Sequence, residues 1–263
     1  MLPYFEIFGR VVPMYGVCFV IGMGLAVLTA WLLARRFKEV PQIDVTCSAV
    51  YTGIGAVVGA KLLFIIVNLP LIISGQLTLL QAFQGGFVFY GGLIGGVIGL
   101  FIYVKHYKLN AFKFFELYAT IVPLGHSIGR VGCFFGGCCY GIEYDGPLSV
   151  TYDMTIGNTP VGIPLFPVQL VEAALLLCLF FVVLFLYIKK RHLGIQVLTY
   201  GFVYCLLRFS LEFLRGDKER GALLGMSTSQ FISLIFAAVL IAIIIVRVKK
   251  SKKQVAKRGS DGK

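Results

Sequence analysis

The sequence predicts an all-α polytopic integral membrane protein of seven transmembrane helices, N-terminus extracytoplasmic and C-terminus cytoplasmic, with a small extracytoplasmic head. Three observations lead there. Hydrophobic residues make up 58% of the chain and charged ones 14%, with a mean hydropathy of +0.89, whereas a globular domain carries about 25% charged residues. Several apolar runs reach the roughly 20 residues needed to cross a bilayer. Lysine and arginine crowd into alternate connections between those runs.

Taken in order, Met1 to Arg10 has no basic start before an apolar core, so no cleaved signal peptide is expected and the first run is retained as a span. The runs are residues 14–34, 47–68, 87–103, 114–135, 168–188, 195–214 and 228–246. Between the second and third, the amphipathic stretch Leu77 to Phe83 suits the interface plane. Between the fourth and fifth, Pro147, Pro160, Pro164 and the alternating run Leu148 to Tyr152 suggest a head of one or two strands over about residues 137–167. The membrane domain then covers residues 1–248, and residues 249–263 form a basic cytoplasmic tail.

Charge sets the orientation. Arg35, Arg36, Lys38, Lys105, Lys108, Lys113, Lys189, Lys190, Arg191 and the eight basic residues of 247–263 fall on one side, seventeen in all; Arg10, Lys218 and Arg220 fall on the other. The side rich in lysine and arginine is the cytoplasmic one. The net charge of +12 owes more than half its excess to residues 247–263, which implies anionic membrane lipids as partners. No basic stripe is interleaved with stacking aromatics, so nucleic acid is not expected.

The stretch Gly125 to Gly141 sets Arg130 and Cys133, Cys138 and Cys139 among Gly129, Gly132, Gly136 and Gly137. Glycines allow positive φ and close approach to a ligand, so the stretch reads either as an anion-binding turn around Arg130 or as a tightly packed helix end. The other cysteines, Cys18, Cys47, Cys178 and Cys205, lie in apolar runs and read as packing residues.

Lys61, Arg130, Arg208 and Arg215 lie within or at the ends of spans, where a charge costs about 2.5 to 3.5 kcal/mol unless it faces the bundle interior or water. Arg208, Glu212 and Arg215 stand at i, i+4 and i+7, with Tyr204 one turn earlier on the same face. If all four cations converge on Glu172 and Glu212, the interior carries surplus positive charge and calls for an anionic ligand.

At these residues the chain resembles the prolipoprotein diacylglyceryl transferase family of bacterial inner-membrane enzymes. The likeness runs from Met14-Tyr15-Gly16 through Gly59-Ala60-Lys61-Leu62 and Tyr90-Gly91-Gly92-Leu93-Ile94-Gly95. Gly129-Arg130-Val131-Gly132-Cys133-Phe134 is similar to a signature beginning Gly-Arg-x-Gly-Asn-Phe, Pro167 through Gln169 and Glu172 to a Pro-x-Gln-Leu-x-Glu-Ala element, and Tyr204 through Arg215 to a Tyr-x3-Arg-x3-Glu-x2-Arg helix.

The resemblance implies transfer of the diacylglyceryl group of phosphatidylglycerol to the lipobox cysteine thiol of prolipoproteins, as a thioether, with release of glycerol phosphate. It places the protein in the bacterial cytoplasmic membrane, with phosphatidylglycerol and prolipoprotein signal peptides as partners and with no cofactor and no metal. Arg130, Arg208, Tyr90 and Glu212 are then the expected catalytic residues. Lys61, Tyr15, Tyr204, Arg215, Gly91, Gly92, Gly132, Gly137, Gly141, Gln169, Glu172 and Arg130 itself are the expected binding residues. Guanidiniums suit the leaving phosphate because their planar fork stays charged in a dry site.

Three positions depart from the family pattern: Tyr90 stands where the third-span motif usually has histidine, and Cys133 and Cys138 stand where the signature has asparagine and glutamate. Tyr90 is expected to position substrate as a hydrogen-bond donor and not to act as a base. His126, four residues before Arg130, reads more readily as a packing residue than as the base. The alternative readings are a divergent paralogue with another acceptor, or a membrane thiol-redox or metal protein built on Cys133, Cys138 and Cys139.

Overall fold

The computed structural model describes residues 3–7, 9–155, 157–190, 194–217, 222–223 and 226–260, with the backbone alone at 7, 222–223 and 245–260. It is mostly helical. In chain order the elements are β1 (Tyr4–Ile7), β2 (Arg10–Pro13), α1 (Met14–Phe37), α2 (Gln42–Val67), α3 (Leu69–Ile73), α4 (Leu79–Gln84), α5 (Phe89–His106), α6 (Ala111–Gly136), β3 (Val150–Thr151), β4 (Pro164–Leu165), α7 (Val168–Ile188), α8 (Ile195–Leu211), β5 (Ala222–Leu223), β6 (Met226–Ser227) and α9 (Thr228–Ser260).

A helix stands at each of the seven apolar runs. Among the described residues, α1, α2, α5, α7 and the segment Ile195–Leu214 are long and apolar enough to cross a membrane. The chain is a multi-pass membrane protein on that count. In α9 the apolar part, Thr228–Ile244, is shorter. Pro123, His126, Ser127, Arg130 and several glycines dilute α6.

The chain divides into two compact units, residues 27–115 and residues 1–26 with 116–263. In the first, α2 and α5 pack backbone to backbone. A Cβ at Gly91 would collide with the Gly59 carbonyl, one at Gly95 with that of Gly55, and one at Gly99 with that of Tyr51. Lipid gives no hydrophobic drive for helix association, so close contact through small residues supplies the dispersion energy instead. At the other end of the pair the Tyr103 hydroxyl donates to Asp44 Oδ1 at 2.6 Å. The amphipathic stretch forms α4, started by a capping box in which Thr78 and Gln81 satisfy each other's backbone amides. Its Leu79, Leu80 and Phe83 are exposed.

In the second unit, β1 and β2 form an antiparallel hairpin that the periodicity of the sequence did not announce. The first half of α1 lies close against α6, where a Cβ at Gly132 would stand 2.9 Å from that of Cys18. α6 ends at Gly136, and Gly137 takes φ +62, as does Cys139 at +59, which folds the chain back. The head then runs through β3 and β4, paired antiparallel, over a core of Phe134, Tyr152 and Leu165. Two side chains tie it to the helix end: the Tyr152 hydroxyl donates to the Phe134 carbonyl at 3.1 Å, and Gln169 Nε2, at the start of α7, donates to the Cys138 carbonyl at 2.9 Å. Burial pushes the Tyr152 phenol up to about 12, which keeps it a neutral donor.

The structure corrects the reading of one helix face. α8 stops at Leu211, Glu212–Leu214 tighten into a 3-10 turn, and Arg215 is extended at φ −92, ψ 138. Arg215 therefore does not sit two turns beyond Arg208 on one helix. A strand-like bridge to Gly141 carries it, with the Ile142 amide bonded to the Leu214 carbonyl and the Gly216 amide to that of Tyr140, both at 3.0 Å.

Candidate active site

Within the second unit, α6, α7, α8 and the turn after α8 bring five charges into one alternating chain. Arg130 Nε lies 3.0 Å from Glu172 Oε1; Glu172 Oε2 lies 4.0 Å from Arg215; Arg215 lies 4.0 Å from Glu212 Oε2; and the same Glu212 oxygen lies 2.6 Å from Arg208. Glu172 is 1% exposed and the Arg215 side chain 2%. Charges this dry persist only when paired, and the alternation gives each carboxylate two cations. Several of these contacts are close without N–H···O alignment: Arg130 Nε, Glu172 Oε1, Arg208 NH1, Glu212 Oε2 and Arg215 NH1 are buried without an aligned hydrogen bond. Such a network is held by charge more than by directed bonds.

Two further partners escaped the sequence reading. Asp217 takes Arg215 in a fork, Nε to Oδ1 at 3.0 Å and NH2 to Oδ2 at 2.9 Å. Ser229, at the start of α9, accepts from Arg208 NH2 at 2.9 Å. With Asp217 counted, three guanidiniums meet three carboxylates, and the surplus positive charge expected from the sequence is absent from this network. Asp217 was within sight, two residues after Arg215, but Ser229 had no local signal.

Aromatic groups line the same place. The His126 ring meets that of Tyr204 edge-on at 5.0 Å, and Tyr204 stacks on Tyr200 at 6.0 Å. Tyr204 lies within electrostatic reach of Arg130, Arg208 and Glu172. His126 is thus packed between helices, as a lone histidine at that spacing suggests.

Cys133, Cys138 and Cys139 come together, their sulfurs all within 4.8 Å of one another. Arg130 and Arg215 are within electrostatic reach of Cys139, and Tyr15 of α1 is within reach of Arg130 and all three cysteines. Hydrogen bonding from Cys133 and Cys138, helped by the guanidiniums, holds Cys139 well below the ordinary thiol range.

The remaining expected site residues have structural partners. Gly132 accommodates α1, Gly137 supplies the positive φ, and Gly141 faces the Phe166 carbonyl where no Cβ would fit. Gln169 is spent on the Cys138 carbonyl and on the Tyr152 hydroxyl at 3.4 Å. Lys61, Tyr90, Gly91 and Gly92 belong to the other unit. There Lys61 Nζ donates to the Gly85 and Gly86 carbonyls at 2.7 and 3.0 Å and lies 4.2 Å from the Phe87 ring centroid. Gly91 meets the backbone of α2, and Tyr90, half-exposed in the first turn of α5, packs on Phe89.

A family model described as prolipoprotein diacylglyceryl transferase matches residues 3–246. A phosphatidylglycerol–prolipoprotein diacylglyceryl transferase of Clostridium tetani is 34% identical over 95% of this chain and 98% of its own length. A second such transferase, of Clostridium perfringens, is 32% identical over 87% of this chain and 88% of its own. One from Dehalococcoides mccartyi is 31% identical over 94% of each.

Proposed function

The chain belongs to the prolipoprotein diacylglyceryl transferase family, and from that premise we propose that it transfers the diacylglyceryl group of phosphatidylglycerol to a prolipoprotein cysteine thiol, with Arg130 and Arg208 holding the phosphate. The observation that carries the reading is the alternating chain Arg130, Glu172, Arg215, Glu212, Arg208, buried beside the glycine turn. The reaction breaks the carbon–oxygen bond to the phosphate as the thiolate attacks that carbon, so negative charge grows on the leaving phosphate. Guanidiniums already fixed by carboxylates need little reorganisation to meet that charge. Each guanidinium has five N–H donors, and the single carboxylate oxygen at Arg130 Nε leaves donors to spare for a phosphate oxygen pair. Arg130, whose side chain is 13% exposed, is the more accessible end and Arg208, at 8%, the drier.

Glu172 and Glu212 orient the guanidiniums, Arg215 links them, and Tyr15, Tyr204 and the glycines Gly132, Gly137 and Gly141 shape the site around the lipid. Gln169 supports it by pinning the turn. In the other unit, Tyr90 donates a hydrogen bond to substrate, Gly91 and Gly92 keep α5 close to α2, and Lys61 acts as a positioning residue on the Gly85–Gly86 turn. The topology proposed is seven spans in the bacterial cytoplasmic membrane, head outside, with the basic tail on anionic lipid inside; the charge asymmetry supports it.

The test is purified protein in phosphatidylglycerol vesicles with a synthetic lipobox peptide. Thioether formation matched by glycerol phosphate release is expected, and Arg130→Gln should lose most of it. A folded wild type that releases none in the presence of both substrates overturns the reading. Reporter fusions after Asp145 and after Lys253 should give opposite sidedness; equal sidedness removes the seven-span topology.

A further inference from the structure

Where the family pattern has asparagine and glutamate, this chain has two cysteines, and a third follows at once. Neighbouring side chains on an extended backbone point to opposite sides. The left-handed backbone of Cys139, φ +59, breaks that alternation, and the sulfurs of Cys138 and Cys139 converge on Cys133 in the last turn of α6. A non-glycine residue in that region is strained and persists where the surroundings require it. Here they do: the bridge of Gly141 to Arg215 and the Gln169 bond to the Cys138 carbonyl hold the segment on both sides.

We propose that Cys133, Cys138 and Cys139 form a three-thiolate site for one soft divalent metal ion, zinc foremost, whose fourth position takes the acceptor thiol. At a metal–sulfur distance of about 2.3 Å, sulfurs around a tetrahedral ion stand about 3.8 Å apart, so the observed cluster closes on an ion by small side-chain rotations. Among the described residues no histidine, aspartate, glutamate or fourth cysteine joins the group. Three protein ligands and an open place are the arrangement of a reactive metal site, not of a closed structural one. All three cysteines are partly exposed and not fully buried. The two guanidiniums near Cys139 offset the negative charge of a thiolate-rich complex.

The acceptor role rests on the transferase reading. The thiol S–H loses its proton to solvent on binding the metal, as a coordinated thiol does. The metal-bound sulfur then forms its bond to the glyceryl carbon as that carbon's bond to the phosphate oxygen breaks. A thiolate and a phosphodiester monoanion yield a neutral thioether and a glycerol phosphate dianion, and the metal keeps its charge. The phenol of Tyr90 then need not serve as a base.

The experiment is cobalt(II) titration of the reduced full-length protein in detergent, followed with the lipobox peptide and its serine analogue. One equivalent with thiolate-to-cobalt charge-transfer absorption and tetrahedral bands is expected, strengthened by the cysteine peptide and not by the serine one. Cys133→Ser should weaken binding by about a hundredfold or more, as should Cys139→Gly, which removes the thiol yet suits the left-handed backbone. Cys178→Ser, in α7, should change nothing. Absence of the charge-transfer band, or unaltered binding in Cys139→Gly, overturns the site; no response to the cysteine peptide overturns the acceptor role. Full transfer activity after metal removal sinks the metal and leaves the transferase reading standing, whereas a normal cobalt spectrum with no glycerol phosphate release does the reverse.

Discussion

Lys61 and Arg208 are both cations inside apolar helices, and the two units receive them in opposite ways. In residues 27–115 the ammonium of Lys61 meets two backbone carbonyls and aromatic faces, a compact charge used to clamp the turn after α4. In the other unit the guanidinium of Arg208 meets a carboxylate and a serine hydroxyl and forms one end of a row of charges. A point charge with three donors spends two of them on such a clamp and turns the rest of its face to an aromatic ring. A planar fork with five is not used up, which is why a row of arginines retains capacity for an anion. The same contrast holds for glycine: in α2 and α5 it brings backbones together, while at Gly137 it turns the chain around the site.

The sharpest way to break this comparison is Arg208→Ala, expected to lower the transfer rate about a hundredfold, or about 3 kcal/mol, with folding intact. Arg208→Lys should not restore it, and recovery in the lysine variant would erase the distinction between fork and point charge. Next is Gly95→Ala, which drives a Cβ into the Gly55 carbonyl and should cost about 2 kcal/mol of stability in detergent unfolding while each folded molecule stays active. Lys61→Met should cost about 1.5 kcal/mol by leaving two carbonyls without their donor. A loss of rate without a loss of stability there would move Lys61 into the chemistry. The smallest effect is Tyr90→Phe, expected to slow transfer by about tenfold or less with the pH profile unchanged. Abolished activity in that variant would make the phenol the proton carrier.

The helices were legible because a span needs a long apolar run and little else, and the Arg208–Glu212 pair because residues four apart on a helix must meet. Arg130 and Glu172 were each suspect as buried charges, but their pairing is tertiary and no spacing announces it. The end of α8 was misread because residues 212–214, Glu-Phe-Leu, are all good or tolerated helix formers with no glycine or proline among them; the bridge of Arg215 to Gly141 stops the helix from outside. The charge surplus vanished for a related reason: it set four cations against Glu172 and Glu212 alone, whereas Lys61 belongs to the other unit and the extended backbone turns Arg215 onto Asp217.

The alternation of charges also orders events during synthesis. Arg130 is made with α6, while its partner Glu172 lies in α7 and is made only after the whole head; the Tyr152 and Gln169 contacts that finish the end of α6 come late too. At about 5–20 residues per second, the arginine waits some seconds before its counter-charge exists. During that interval α6 carries a charge without its partner, and a chain halted before Glu172 should be recognised as unfinished and degraded.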